Sequence, residues 1–114
     1  MASTTLLYQI GGATTGITAY AGGGAANATA LVSKVNVIAT CATAADSVKL
    51  PIAPQLSDVV VRNNGGASAN VFPPTGGTIN GGSVDAAFAV ASVKTATFTV
   101  VSADGLTIVA NLSA

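Results

Sequence analysis

The sequence predicts an all-β chain, folded as an antiparallel, jelly-roll-like β-sandwich that carries an extended N-terminal arm. Three observations predict this fold. Val59-Val60-Val61 is a β-branched run that suits a strand, and apolar and polar residues alternate along 34–38 and 95–100. Turn-forming Gly, Pro, Asn and Asp residues separate these short segments, as in sandwiches and barrels. Nowhere does a sustained helical period appear.

The first third of the chain is rich in Ala, Gly and Thr, and it is predicted to be an arm or an irregular edge. Residues 4–10 and 15–20 favour extended structure, and Gly22-Gly23-Gly24 loosens the backbone that follows them. We therefore divide the chain into an N-terminal arm or edge segment, residues 1–30, and a β-sandwich domain, residues 31–114.

The first strand of the sandwich domain is predicted from a period of two. Val35 and Val37 are expected to face the core, whereas Lys34 and Asn36 are expected to face solvent. Pro51 then begins a loop that leads to residue 58.

The stretch 58–82 is predicted to form a hairpin. Val59 to Val61 form the first strand, Asn64-Gly65-Gly66 supplies residues that tolerate positive φ, and residues 70–72 return as the second strand. Pro73-Pro74 ends that strand, because proline cannot donate a ladder hydrogen bond.

The last third has the clearest strand pattern. Threonines alternate with apolar residues over 95–100, Asp104-Gly105 predicts a two-residue hairpin turn, and Leu106, Ile108, Ala110 and Leu112 are expected to point inward. The side chains predicted to be buried in the sandwich are Val35, Val37, Val59, Val61, Phe98, Val100, Leu106 and Ile108.

The composition favours association rather than chemistry. Charged residues make up 7% of the chain, its formal net charge is zero, and its mean hydropathy is +0.65. A weakly charged, neutral surface promotes association, so part of it is expected to be interface. Nucleic acid is not expected as a partner, because no Lys/Arg cluster is present to neutralise phosphates.

No catalytic, cofactor-binding or metal-binding residue is predicted, and the chain is not expected to be an enzyme. Histidine is absent, so Ser and Thr lack a base and a transition-metal site lacks its usual ligand. Asp46, Asp58, Asp85 and Asp104 lie singly beside predicted turns, where Asp bonds the local backbone. The glycine pairs match no phosphate-binding motif and are read as turns.

Cys41, the single cysteine, is expected to be a small buried hydrophobe in a chain made in a reducing cytoplasm. Neither a membrane span nor a secretory signal is predicted, because apolar runs are short and the N-terminus lacks a basic region. Tyr8 and Tyr20 have two readings: an exposed contact patch, or packing at the edge of the core.

Three segments, KLP at 49–51, DVVVRNNG at 58–65 and NVFPPTGGTING at 70–81, resemble a small β domain of tailed-bacteriophage virion proteins. The resemblance spans about residues 30–110, and the third segment is its most specific part. An alanine-rich strand and a threonine-rich strand follow in that family too. Its usual aromatic residue in the final strand is replaced here by Leu106-Thr107-Ile108, which leaves the subgroup open.

The resemblance implies a capsid cement (decoration) protein, a homotrimer that binds the major capsid protein on the outside of the virion and stabilises the shell. It also implies an alternative, a tail-fibre or receptor-binding β module. A carbohydrate-binding module is a third, weaker reading, because the chain has no Trp for sugar stacking. The resemblance brings no catalytic residues with it.

Overall fold

The computed structural model describes residues 11–22 and 24–113, and these residues form strands and loops without a helix. The ten strands are β1 (Ala13–Thr18), β2 (Thr29–Ala30), β3 (Val35–Thr40), β4 (Asp46–Lys49), β5 (Asp58–Asn63), β6 (Ala69–Phe72), β7 (Thr78–Ile79), β8 (Phe88–Val90), β9 (Lys94–Val100) and β10 (Thr107–Leu112). The predicted all-β class is confirmed.

The strands form two mixed sheets. One sheet has six strands in the order β1-β3-β5-β9-β10-β7, and the other has four in the order β2-β4-β6-β8. From β1 to β6, successive strands alternate between the sheets and pair in parallel with the strand two earlier. The chain therefore winds as a coil over this region. Three antiparallel pairs follow: β6 with β8, β5 with β9, and β9 with β10. Strand β7 pairs in parallel with β10.

The expected antiparallel pairing is therefore wrong for β1–β6. Residues 64–68 do not close a hairpin, because β5 lies in the six-stranded sheet and β6 in the four-stranded sheet. The segment instead carries the chain from one sheet to the other. The neighbour-by-neighbour antiparallel connectivity of a jelly roll is not seen among these described strands.

Gly65 is required by close packing rather than by a turn. It is not among the glycines with positive φ, and a Cβ built on it would lie 2.5 Å from the backbone nitrogen of Cys41. Two connections between the sheets, one after β3 and one after β5, touch at this point. Because any side chain at Gly65 would collide with that backbone, the close approach depends on glycine.

The described part of the predicted arm belongs to the sheets. Strand β1 pairs with β3 at one edge of the six-stranded sheet, and Ile17 and Ala19 are buried in the core. Strand β2 pairs with β4. Strands β1 and β2, which fall within the predicted arm, do not extend away from the body, because both pair with strands of the sheets. Residues 1–10 of the prediction lie outside the described residues.

One core lies between the two sheets. Buried side chains from both sheets belong to it, and the rings of Phe88 and Phe98 meet edge to face, with centroids 5.7 Å apart. The predicted burial is confirmed for five side chains: Val59, Val61, Phe98, Val100 and Ile108. Leu106 is only half-buried, and Leu112, expected to point inward, is exposed.

Strand β3 has the opposite phase to the predicted one. Asn36 and Ile38 are fully buried, whereas Val35 and Val37 are half-buried on the other face. The Asn36 side chain enters the core because its Nδ2 donates to the carbonyl oxygens of Ser33, at 2.8 Å, and Val60, at 3.2 Å. These bonds offset part of the desolvation of the amide, so a polar residue occupies a position that the pattern assigned to solvent.

Candidate interaction surfaces

The hairpin between β9 and β10 packs against a loop from another part of the chain. The predicted reversal between these strands is confirmed, but the predicted two-residue turn at Asp104-Gly105 is wrong, because the connection runs from Val101 to Leu106. Gly105 has φ 79°, and a Cβ on it would lie 2.9 Å from the carbonyl oxygen of Ala53. The hairpin turn therefore packs tightly against the loop that connects β4 with β5.

Three exposed apolar side chains belong to these two packed loops, and we call them the apolar tip: Ile52, Leu56 and Val101. Their exposed fractions are 69%, 78% and 39%. A Cβ on Gly105 would lie 2.9 Å from the side chain of Ile52, and the N–H of Leu56 donates to the carbonyl oxygen of Val100 at 2.7 Å. The apolar tip thus lies on two loops that are far apart in the chain and packed together.

Hydrogen bonds hold the loop of the apolar tip in place. The side chain of Gln55 donates to the carbonyl oxygen of Val101 at 3.0 Å, and the N–H of Ser57 donates to that of Pro54 at 3.1 Å. Together with the bond from Leu56 to Val100, they tie the loop to the end of β9. The loop is therefore anchored on both sides of Leu56.

The backbone of Leu56 is strained. Its φ is 71°, in the left-handed region that glycine adopts freely and that costs other residues about 1–2 kcal/mol. Val93, in the connection between β8 and β9, shares this conformation, with φ 59°, and its side chain is 62% exposed. At both positions an apolar side chain points to solvent from a backbone that would suit glycine.

The acidic side chains accept hydrogen bonds at separate places. Asp46 accepts from the N–H of Thr43 and Asp85 from that of Gly76. The bond of Asp46, across three residues, confirms the predicted local role, whereas the bond of Asp85 reaches a backbone nine residues away. Asp58 instead accepts from the hydroxyl of Thr99 on the neighbouring strand, at 2.6 Å.

Asp104 lies in the hairpin turn that supports the apolar tip. Its Oδ1 accepts from the Ser102 hydroxyl at 2.6 Å and from the N–H of Leu106 at 3.0 Å. These two bonds hold the pKa of the Asp104 carboxyl below its usual value. The carboxylate therefore stabilises the turn locally.

A second surface is the outward side of β3, β5 and β9, which we call the valine–threonine face. Val35, Val60 and Thr97 form one row across the three strands, and Val37, Arg62 and Thr95 form the next. All six side chains are half-buried. Arg62 lies along this face, with donated bonds to Asn64 Oδ1 and to the carbonyl oxygen of Val93. The face is therefore largely apolar and hydroxyl-bearing.

Cys41 is buried, as predicted, and its Sγ lies 3.7 Å and 3.5 Å from the carbonyl oxygens of Thr43 and Ser68. Burial raises the pKa of the Cys41 thiol, and the nearby charge of Asp46 raises it further. A thiol held in its neutral form is a poor nucleophile and a poor metal ligand. The residues that the structure describes contain no cluster of metal-ligating side chains.

Tyr20 is exposed, and its backbone bridges to Ser47 of β4 through two hydrogen bonds of 2.8 Å and 3.0 Å. Tyr8 lies outside the described residues. Sequence reasoning did not single out the apolar tip. The available signal was an apolar pair, Ile52 and Leu56, placed among the prolines of a loop rather than in a strand.

Within the described residues, no helix has the length and hydropathy needed to span a membrane. Comparisons with protein-family models, with curated proteins and with solved structures found no match.

Proposed function

We propose that this chain is a structural virion protein, a capsid cement protein of a tailed bacteriophage. It is made in the host cytoplasm, binds the major capsid protein on the exterior of the shell as a homotrimer, and stabilises the shell. The resemblance of residues 70–81 supports the family. The observation that carries the proposal is the surface itself, because its exposed apolar groups are suited to protein contact.

Two separate surfaces suit the two contacts that a cement protein makes. The valine–threonine face lies on the broad side of the six-stranded sheet, and the apolar tip lies where β9 ends and β10 begins. We assign the valine–threonine face to contact between copies of the chain. Closed cyclic symmetry covers such a face in every copy, and the threefold form matches the threefold points of an icosahedral shell.

The proposed function is tested by the copy number in purified virions of the phage that encodes this chain. Quantitative gel electrophoresis gives the ratio of this protein to the major capsid protein. We expect hundreds of copies per particle for a cement protein. A few dozen copies or fewer would assign the chain to the tail, and absence from the virion would overturn both assignments.

The alternative, a tail-fibre or receptor-binding module, is favoured by one observation. Strands β1 to β6 wind as a parallel coil, and β1 and β2 lie at the edges of their sheets. Coils of this kind stack on one another along an axis, as in elongated β-solenoids. The copy number separates this alternative from the cement protein.

The assembly is tested with light scattering coupled to size exclusion, at low and high salt. We expect a trimer of little salt dependence, because screening weakens charged pairs and the valine–threonine face has few. Val60→Glu should yield monomers, whereas Val84→Glu, at an exposed apolar residue of a loop, should leave the trimer intact. A wild-type monomer at micromolar concentration would contradict the trimer, and dissociation by salt alone would contradict the apolar interface.

A further inference from the structure

We propose that the apolar tip is the surface that attaches this chain to the shell, and that Leu56 enters an uncharged apolar groove of the shell protein. The inference rests on the proposed function, because it names the face that meets the partner. It adds to that function the residue that contacts the shell, Leu56, and the chemical character of the groove that this residue enters.

The conformation of Leu56 is hard to explain by folding alone. At φ 71° the backbone favours glycine or asparagine, and the leucine side chain is 78% exposed, so it contributes little to the core. Strained backbone conformations cluster at binding sites, and the two packed loops that carry Leu56 also expose the apolar side chains of Ile52 and Val101. The strain holds the leucine away from the body, where a partner can bury it.

The apolar tip is also organised before binding. The N–H of Leu56 is bonded to Val100, the side chain of Gln55 is bonded to Val101, and Gly105 fixes the hairpin against Ala53. A loop that is already ordered loses little conformational entropy when a partner binds it. This arrangement suits a contact with a folded surface that has one fixed shape.

The charges of the same loops indicate what kind of partner fits. The two loops of the apolar tip, 50–57 and 101–106, contain a single charged residue, Asp104, whose carboxylate is bonded within its own turn. They therefore offer no basic group to a partner. Nucleic acid and anionic lipid attract free clusters of Lys and Arg, and a membrane interface favours Trp and Tyr, neither of which contributes to the apolar tip. An uncharged apolar groove on a protein is the complementary surface.

Val93 provides a matched control for Leu56. Both residues are exposed, apolar and in the left-handed region, and Val93 immediately precedes β9, whereas the apolar tip follows the other end of that strand. Replacing either residue with glycine removes an apolar side chain and relieves the backbone. Both variants should therefore be at least as stable as the wild type, with an equal or higher Tm.

The binding probe is the purified empty shell of the same phage, produced without this protein, and the readout is co-sedimentation. We expect Leu56→Gly to weaken binding about tenfold or more, since the burial of a whole leucine side chain is lost. Val93→Gly and the conservative Leu56→Met should bind within threefold of the wild type. Together these results would support the apolar tip as the docking surface.

Each other outcome overturns a distinct claim. If the wild type binds shells and Leu56→Gly binds equally well, the apolar tip is not the docking surface, and the proposed function stands. If the wild type binds no shells, both proposals are overturned. If the wild type instead binds vesicles of neutral phosphatidylcholine, and Leu56→Gly does not, the assignment of a protein groove is overturned.

Discussion

In the parallel coil of β1–β6 and in the antiparallel hairpin of β9–β10, successive side chains of a strand alternate between the two faces of the sheet. The sequence pattern predicts the buried face correctly in the hairpin but not in strand β3 of the coil. In β9 and β10, the alternating pattern gives the burial of Phe98, Val100 and Ile108 directly. In β3, the same pattern gives the wrong face, because Asn36 is buried and Val35 is half-buried. Strand β5 of the coil, which also pairs with antiparallel β9, follows its pattern, with Val59 and Val61 buried.

The difference lies in what fixes the phase of each strand. A hairpin pairs adjacent segments across a short turn, so its own sequence contains both the register and the inward face. In the coil, each strand pairs with one that lies a full turn away in the chain, such as β3 with β5. The phase of β3 then depends on distant partners, including the backbone of Val60 that Asn36 bonds.

The largest expected effect is on the antiparallel side. Phe98→Ala should lower the free energy of unfolding by about 3–5 kcal/mol, because Phe98 is fully buried and its ring contacts Phe88. Thr97→Ala, on the outward valine–threonine face of the same strand, should cost clearly less, about 1 kcal/mol or less. Urea denaturation of both variants measures the difference, and equal losses would contradict the inward and outward faces of β9.

The next effect tests the coil, through a pair of adjacent glycines. Gly65→Ala should cost about 1–3 kcal/mol or more, since its Cβ would lie 2.5 Å from the backbone of Cys41. Gly66→Ala meets nothing within 4 Å and has no positive φ, so it should be neutral or slightly stabilising.

Thermal and urea unfolding of the two glycine variants separate the two roles proposed for this segment. A hairpin turn of the predicted kind needs positive φ at its central residues and would be sensitive at both glycines. Comparable losses at both glycines would therefore favour the hairpin turn and contradict a role for Gly65 alone at the crossing of the two connections.

A smaller effect tests the reversed phase of β3. Asn36→Ala should cost about 1–3 kcal/mol, because the carbonyl oxygens of Ser33 and Val60 lose a donor. Among the described residues the Asn36 Oδ1 is buried without a partner, and its removal offsets part of that loss. Val37→Ala should cost less than Asn36→Ala. If urea denaturation shows a larger loss of stability for Val37→Ala than for Asn36→Ala, the phase of β3 predicted from the sequence is correct.

The sequence was sufficient for the class of the fold and for individual strands, but not for their connection. The β-branched run 59–61 and the turn at Asp104-Gly105 are local signals, and both lead to the observed strands β5 and β9–β10. The residues around Gly65 fit either a tight reversal or a crossing between sheets, because glycine permits both. Only the backbone of Cys41, distant in sequence, decides between them.

The candidate surfaces, like the fold, were predictable from the sequence only in part. The low charge indicated an interface, and the threonines of β9 indicated that one side of this strand faces away from the core. The apolar tip was not predictable, because the strain of Leu56 and its bond to Val100 arise where two separate loops meet. Conformation and long-range contact are the two properties that a residue pattern does not contain.

The smallest expected effect uses Cys41, which packs in the coil against Gly65, as a reporter. The pKa of its thiol is raised above the ordinary value in the folded chain, because burial and the charge of Asp46 both disfavour the thiolate. An unfolded thiol ionises first as the pH rises. The stability contributed by the neutral thiol is therefore complete below the unfolded pKa and is lost as the pH climbs through the folded pKa.

The free energy of unfolding, measured by urea denaturation, should thus fall between about pH 7 and pH 10.5. The part of this pH slope that is due to Cys41 corresponds to at most one proton. Cys41→Ala is the control that isolates the thiol, because the variant differs from the wild type only at this group. The variant should lose stability less steeply with pH than the wild type does. Identical slopes would mean that Cys41 ionises as readily in the folded coil as in the unfolded chain, which its burial between Thr43 and Ser68 contradicts.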